Sequence, residues 1–238
     1  GLHTSLMVPT VFLCRYKQFN RINNLIHAMS KTVCIYPQDS TTDFLRPLCD
    51  HICASFDAVE VGYDTSGDDD PMEIIFNEVK DAESIFFLGH GMSTCLYASI
   101  LDNVELFNNE NISLLEGKRL FLLACNSDQF ITKFKLSDAV GFGFLPTSEE
   151  DIERTKQYHK IDISMTGILD VDCFKAALVQ CLINTLSRET MDDPCLFRER
   201  MLFNTCCEIV DCLTNKQSTN YRIVADELYY MYKDMIIM

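Results

Sequence analysis

Ser84-Ile85-Phe86-Phe87-Leu88-Gly89-His90-Gly91 and Arg119-Leu120-Phe121-Leu122-Leu123-Ala124-Cys125-Asn126-Ser127 are the two stretches that decide the fold. Each contains a short apolar run unbroken by charge and bounded by turn-forming residues. A parallel strand buried on both faces has that signature, because helices cover it on either side. One run stops on a histidine between two glycines, the other on a cysteine followed by polar residues. Neighbouring strands lie about 5 Å apart, so if these two pair, the imidazole and the thiol are presented at adjoining strand ends.

Upstream, Thr32-Val33-Cys34-Ile35-Tyr36 reads as a strand closed by Pro37. Ser40-Thr41-Thr42-Asp43 offers an N-cap to a helix with Phe44, Leu45, Leu48, Ile52 and Phe56 on one face. Ala58–Tyr63 is a second strand. Asp70-Pro71 supplies a cap and a first helical residue for a helix over Met72–Lys80. Phe19, Ile22, Leu25, Ile26 and Met29 follow a helical spacing in an N-terminal lead-in over 1–31.

Between the two marked strands, Tyr97 to Leu106 suggests a small hairpin, and Ile112–Leu115 a brief helical turn. After Cys125 come a short helix or loop over Asp128–Lys135 and a strand over Ala139–Leu145. Gly141 and Gly143 alternate in that strand and predict close backbone approach. Thr147–Asp151 starts another helix or loop. The remainder is helical: one helix capped by Asp170 or Asp172, then Cys195–Leu213 and Ala225–Met238. This alternation predicts an α/β fold, a mainly parallel sheet with helices on both faces plus a helical C-terminal part. A single domain over 1–238 is expected, with its core at 32–185 and C-terminal helices at 186–238.

The 238 residues are 47% hydrophobic and 23% charged, enough to bury a full core. Formal net charge is −15. Such a surface repels phosphate backbones and anionic lipid, so neither nucleic acid nor membrane is expected as a direct partner. No apolar run is long enough to span a membrane, and no secretory leader is expected from the first residues. Most of the twelve cysteines sit in apolar stretches, where cysteine acts as a small hydrophobe. A reducing, cytoplasmic setting is therefore expected. No CxxC pair occurs. Cys49 and Cys53 place two thiols one helical turn apart, but with no second ligand pair they read as a half-buried helix face. Neither a metal nor a cofactor is expected.

Chemistry in open α/β sheets collects at the carboxyl ends of strands, where His90 and Cys125 both fall. An imidazole can generate a thiolate from a nearby thiol near neutral pH. The backbone N–H groups of Gly91 and Cys125 are natural oxyanion donors. The pair therefore points to cleavage of a peptide or related acyl bond. Cys95 is a rival nucleophile, but it lies in the loop leading to the hairpin. His3, His27, His51 and His159 have no partner in the sequence. Phosphate-binding GxxxxGK[ST] and GxGxxG patterns and a GxSxG elbow are absent. The remaining alternative is a silent interaction module on the same fold.

The histidine block Phe86–Gly91 and the cysteine block Leu120–Ser127 resemble those of the caspase-like cysteine peptidases, most closely the CHAT group. Leu115-Glu116-Gly117-Lys118-Arg119-Leu120 is similar to the lead-in of that group's cysteine strand, and Ala139–Gly143 to the strand that follows. The resemblance covers roughly 32–185. It implies Cys125 as nucleophile, His90 as general acid/base, and Gly91 and Cys125 as oxyanion donors. The substrate would be a protein. Acidic residues near these strand ends select basic P1 residues in the clan. Asp128 is the nearest acidic residue after the nucleophile, though spacing does not fix it in a pocket, and Ala124 stands where many members carry an acid. The group also implies latency relieved by an activating or sensor protein, or by oligomerisation, often in prokaryotic defence.

Overall fold

The computed structural model describes residues 31–37, 40–64, 70–148 and 168–238. The lead-in expected over 1–31 thus lies almost wholly outside the described residues, as does most of the segment expected from Thr147 onward.

Six strands form one sheet in the order β2-β1-β3-β6-β7-β8. They are β1 (Thr32–Ile35), β2 (Val59–Val61), β3 (Ser84–Leu88), β6 (Arg119–Leu123), β7 (Ala139–Gly141) and β8 (Ile236–Ile237). All neighbours are parallel except β8, which runs antiparallel to β7. A separate hairpin joins β4 (Leu96–Ser99) and β5 (Val104–Phe107). The α/β architecture with a mainly parallel sheet is therefore as the alternation predicts.

Side-chain parity divides the sheet's covering into two cores. Val33, Ile35, Ile85, Phe87, Leu120 and Leu122 face the hairpin, α2 (Pro71–Lys80) and α3 (Ser127–Phe134). Cys34, Phe86, Leu88, Phe121 and Leu123 face the other side, which holds α1 (Arg46–Phe56), α4 (Ile168–Thr185), α6 (Pro194–Asn215) and α7 (Tyr221–Asp234). A short helix, α5 (Arg188–Asp192), links α4 to α6. Both faces of β3 and β6 are buried, so their apolar runs are continuous rather than alternating.

Local signals account for several element ends. The Asp70 side chain accepts the Met72 N–H at 2.9 Å, with Pro71 in the first turn of α2. Asp193 accepts from Cys195 and Leu196 and starts α6, which begins at Pro194, one residue before the expected Cys195. The hairpin forms as predicted.

Three expectations are corrected. α4 begins at Ile168, so Asp170 is in its first turn rather than capping it. Asp170 is buried and holds Asn220 through the backbone N–H at 3.2 Å and the side-chain amide at 2.7 Å. β7 stops at Gly141 instead of Leu145, because the chain beyond it bonds to the start of α3: Asp128 N–H donates to Phe142 O and Asn126 N–H to Gly143 O, each at 3.0 Å. The last helix ends at Asp234, and Ile236–Ile237 peels away as an edge strand. The two glycines are indeed closely approached. A Cβ at Gly141 would meet Ile131 and the α3 backbone, while one at Gly143 would meet Asp234 Cβ at 2.8 Å.

Phe121 sits in the middle of β6 with ring centroids at 5.7 Å from Phe86, 5.6 Å from Phe142 and 6.3 Å from Phe197. Phe121→Ala is expected to cost about 3–5 kcal/mol in urea denaturation, through lost burial and the cavity left behind. Leu101→Ala, at a side chain 67% exposed, should stay within about 0.5 kcal/mol of the parent.

Candidate active site

β3 and β6 pair in parallel with Leu88 opposite Leu123. Gly89 N–H extends the pairing by donating to Leu123 O at 3.0 Å. Two residues past each of these leucines stand His90 and Cys125, so both leave the sheet at one level and with one parity. Cys125 accordingly packs against the α1/α4 core, while Ala124 belongs to the opposite one. His90 and Cys125 are each half-buried. They line a single narrow cleft with Thr41, Phe44, Leu145 and Leu178 among its walls.

The two turns also touch through their backbones. A Cβ at Gly91 would lie 3.0 Å from Ala124 Cβ and 3.1 Å from Cys125 O. Glycine there is what lets the histidine turn lie against the cysteine turn. Gly91 pairs with Leu96 across an antiparallel bridge. The bridge's hydrogen bonds run through its neighbours, Met92 N–H to Cys95 O at 2.8 Å and Tyr97 N–H to His90 O at 3.0 Å. The Gly91 N–H is therefore not consumed by the bridge.

Cys125 occupies a tight strand-to-helix turn between Leu123 and Ser127. Asn126 adopts a left-handed backbone (φ 57°), a conformation asparagine tolerates well. The buried Ser127 hydroxyl fixes this turn: it donates to Leu122 O at 2.7 Å and accepts the Phe142 N–H at 2.8 Å. The Cys125 thiol donates to Leu145 O at 3.4 Å. His90 Nε2 shares a hydrogen bond with Thr41 Oγ1 at 2.6 Å.

Thr41 is the cleft residue that sequence reasoning missed. Its stretch reads as an N-cap, and Thr42 does stand at the N-cap position of a 3₁₀ turn, but its side chain makes no cap bond. Thr42 Oγ1 donates to Pro37 O at 2.5 Å and Tyr36 Oη donates to Thr42 O at 3.1 Å, fixing the loop that carries Thr41. A 3₁₀ turn at Asp43–Leu45 follows without any side-chain cap. Nothing in the linear sequence pairs Thr41 with a histidine so far along the chain.

Neither a protein-family model, nor a curated protein, nor a solved structure matches this chain.

Asp128 does not join the residues that line the cleft. It lies in the first turn of α3, beside Gly141, which gives it no support as a substrate-pocket residue. One of its carboxylate oxygens is buried without a hydrogen-bond partner. Burial pushes its pKa up, and the nearby Asp234 adds to that shift. Cys95 is buried, and burial likewise raises its thiol above the ordinary range, which disfavours its thiolate. His51 Nε2 lies 2.9 Å from Leu186 O, a structural contact far from the cleft. His3, His27 and His159 fall outside the described residues.

A carboxylate whose folded pKa is raised is less easily ionised in the native state than in the unfolded chain. Its ionisation therefore destabilises the fold as pH rises through the ordinary carboxylate range and beyond. Asp128→Asn should accordingly raise the urea midpoint at neutral pH, with the advantage vanishing below the ordinary aspartate pKa. A lower midpoint at neutral pH would contradict this assignment.

Proposed function

We propose that the chain is a cysteine endopeptidase of caspase-like, CHAT-type architecture, acting through Cys125 and His90. The observation that carries this reading is the β3–β6 register, with His90 and Cys125 two residues beyond the paired Leu88 and Leu123. Two neighbouring parallel strands that end on an imidazole and a thiol lining one cleft support the pairing of a nucleophile with its base.

In this proposal His90 takes the Cys125 proton, and the sulfur attacks the scissile carbonyl carbon. The Gly91 N–H, with that of Cys125, receives the oxyanion as the C–S bond forms. His90 then delivers the proton to the leaving amine as the C–N bond breaks. Water, deprotonated by His90, attacks the thioester and returns the thiol. Thr41 acts as a positioning residue, holding Nε2 so that Nδ1 serves the sulfur.

The described residues lining the cleft include no carboxylate, and Phe44, Leu45, Leu123, Leu145 and Leu178 make it largely apolar. A neutral or apolar P1 residue suits it better than a basic one. The Cys125 proton directed at Leu145 O favours a resting, latent enzyme. We further propose that a partner protein, oligomerisation or a sensor activates it, as in the defence systems that the resemblance implies. The same resting contacts also suit a second reading, a protein-interaction module in which the pair is silent.

A peptide library and candidate protein partners separate the two readings. Wild type is expected to cleave after neutral or apolar residues, Cys125→Ala to give background only, and His90→Ala to lose about 10²–10⁴-fold in rate. Cleavage undiminished in Cys125→Ala would end the peptidase reading. Thr41→Val is expected to lower kcat about tenfold with little change in KM, and to shift the acid limb of the pH–rate profile. A purely structural threonine would lower the melting temperature and leave that limb unmoved.

A further inference from the structure

On the same face of the sheet, β1 and α1 bring three thiols together away from the cleft. Cys49 and Cys53 lie one helical turn apart on α1, where residues four positions apart share a helix face. Cys34 projects from the middle of β1 into that face. Its sulfur lies 3.7 Å from Cys49 Sγ, and all three sulfur atoms fall within 4.8 Å of one another. Sulfur atoms sharing one metal ion at about 2.3 Å each stand about 3.8 Å apart in a tetrahedron. The spacing is thus already close to that of a coordinated set.

The chemistry of the cluster is unmixed. No carboxylate or imidazole belongs to this group among the described residues, and three soft donors select thiophilic ions over magnesium or calcium. Cys34 and Cys49 are fully buried, whereas Cys53 is only half-buried and opens the group toward solvent. An ion would enter past Cys53 and take any further ligand there.

The surroundings hold the three sulfurs in place. Arg46, at the start of α1, makes a two-pronged ion pair with Glu60 of β2, both bonds at 2.7 Å, and bonds Asp50 one turn on at 2.9 Å. Glu60 is itself the residue paired with Cys34 across β1 and β2. This clamp fixes α1 against the sheet edge beside the thiols. Hydrogen bonding from Cys34 lowers Cys53 to about 7, against the burial that opposes it, and Cys34 is pushed up chiefly by its bond to Cys49.

We propose that Cys34, Cys49 and Cys53 form a three-sulfur site for a thiophilic metal ion, Zn²⁺ or Cu⁺. Binding displaces the thiol protons of the three cysteines to solvent and forms three metal–sulfur bonds, so uptake weakens as pH falls. The ion would tie β1 to α1, the elements that flank the loop bearing Thr41. This proposal does not depend on the peptidase reading.

The full chain, kept reduced and freed of metal, is titrated separately with Zn²⁺, with Co²⁺ as its spectroscopic stand-in, and with Cu⁺ under anaerobic conditions. Cys206→Ser/Cys207→Ser serves as the background, because those thiols are exposed on α6. The expected result is one ion of Zn²⁺ or Cu⁺ per chain and a raised melting temperature, with thiolate-to-metal charge-transfer absorption if Co²⁺ takes the site. Cys53→Ala, at the half-buried position, should reduce uptake from one ion to none and remove the thermal shift while retaining the apo fold. Cys125→Ala should bind as the background does. Failure of both Zn²⁺ and Cu⁺ to bind, uptake undiminished in Cys53→Ala, or uptake lost in Cys125→Ala would each overturn the proposal. So would closure of the three thiols into a disulfide that forms under reductant and leaves no ion bound.

Discussion

The parallel pairing of β3 with β6 is the constraint on which the rest depends. Five consecutive residues match, from Ser84 opposite Arg119 to Leu88 opposite Leu123. Parallel strands cannot be joined by a tight turn, so the chain must leave the sheet and return between them. Here it does so through the β4–β5 hairpin and the turn at Ile112–Leu114 rather than through a long helix. Leu106, Phe107 and Leu115 from that excursion are buried in the core on the hairpin side. The connection thus covers the face that it would otherwise leave exposed. A slip of one residue in β6 would turn Phe121 and Leu123 away from the core that Phe86 and Leu88 face and take Cys125 to the face opposite His90.

What the sequence carried clearly was the set of elements whose signal is local. The apolar runs of β1, β3 and β6, the Asp70-Pro71 start of α2 and the polar gap of the hairpin all depend on neighbours a few residues away. The level at which His90 and Cys125 leave the sheet was legible for the same reason, since each follows its strand directly. Thr41 was not legible, because its role exists only through a contact across 49 positions. Nor was the early end of β7, where strand bonds give way to the backbone of α3. β8 was hidden by brevity: two isoleucines at the foot of an amphipathic helix carry no period of their own. Asp170 shows the opposite failure. Its residue type signals a helix cap, but burial against Asn220 gives it a tertiary task.

The carboxyl edge of the sheet is held by short polar side chains substituting for missing backbone partners. Ser127 takes up Leu122 O and the Phe142 N–H where β6 and β7 diverge. Thr42 and Tyr36 do the same for the loop after β1. Leaving such backbone groups buried and unpaired would cost about 1–3 kcal/mol each. Rigid turns at this edge hold His90 and Cys125 half-buried rather than packed into the core.

The two faces of the sheet differ in chemistry as well as in covering. Toward the hairpin, β1, β3 and β6 present only aliphatic and aromatic side chains: Val33, Ile35, Ile85, Phe87, Leu120 and Leu122. Toward α1 and α4, the same strands present Cys34 and Cys125 among Phe86, Leu88, Phe121 and Leu123, and the residue two beyond Leu88 is His90. Period-two parity makes this a property of whole strands rather than of single positions. A helix covering the reactive face must therefore accommodate polar and polarizable atoms, and α1 does so with Cys49 and Cys53 above Cys34 and with Arg46 clamped to Glu60. The long C-terminal helices close the other half of that face with Phe174, Leu178, Phe197 and Met201. Leu178 reaches the cleft itself. α4 thus supplies a wall of the cleft, while the β3–β6 pairing sets the strand ends that carry His90 and Cys125.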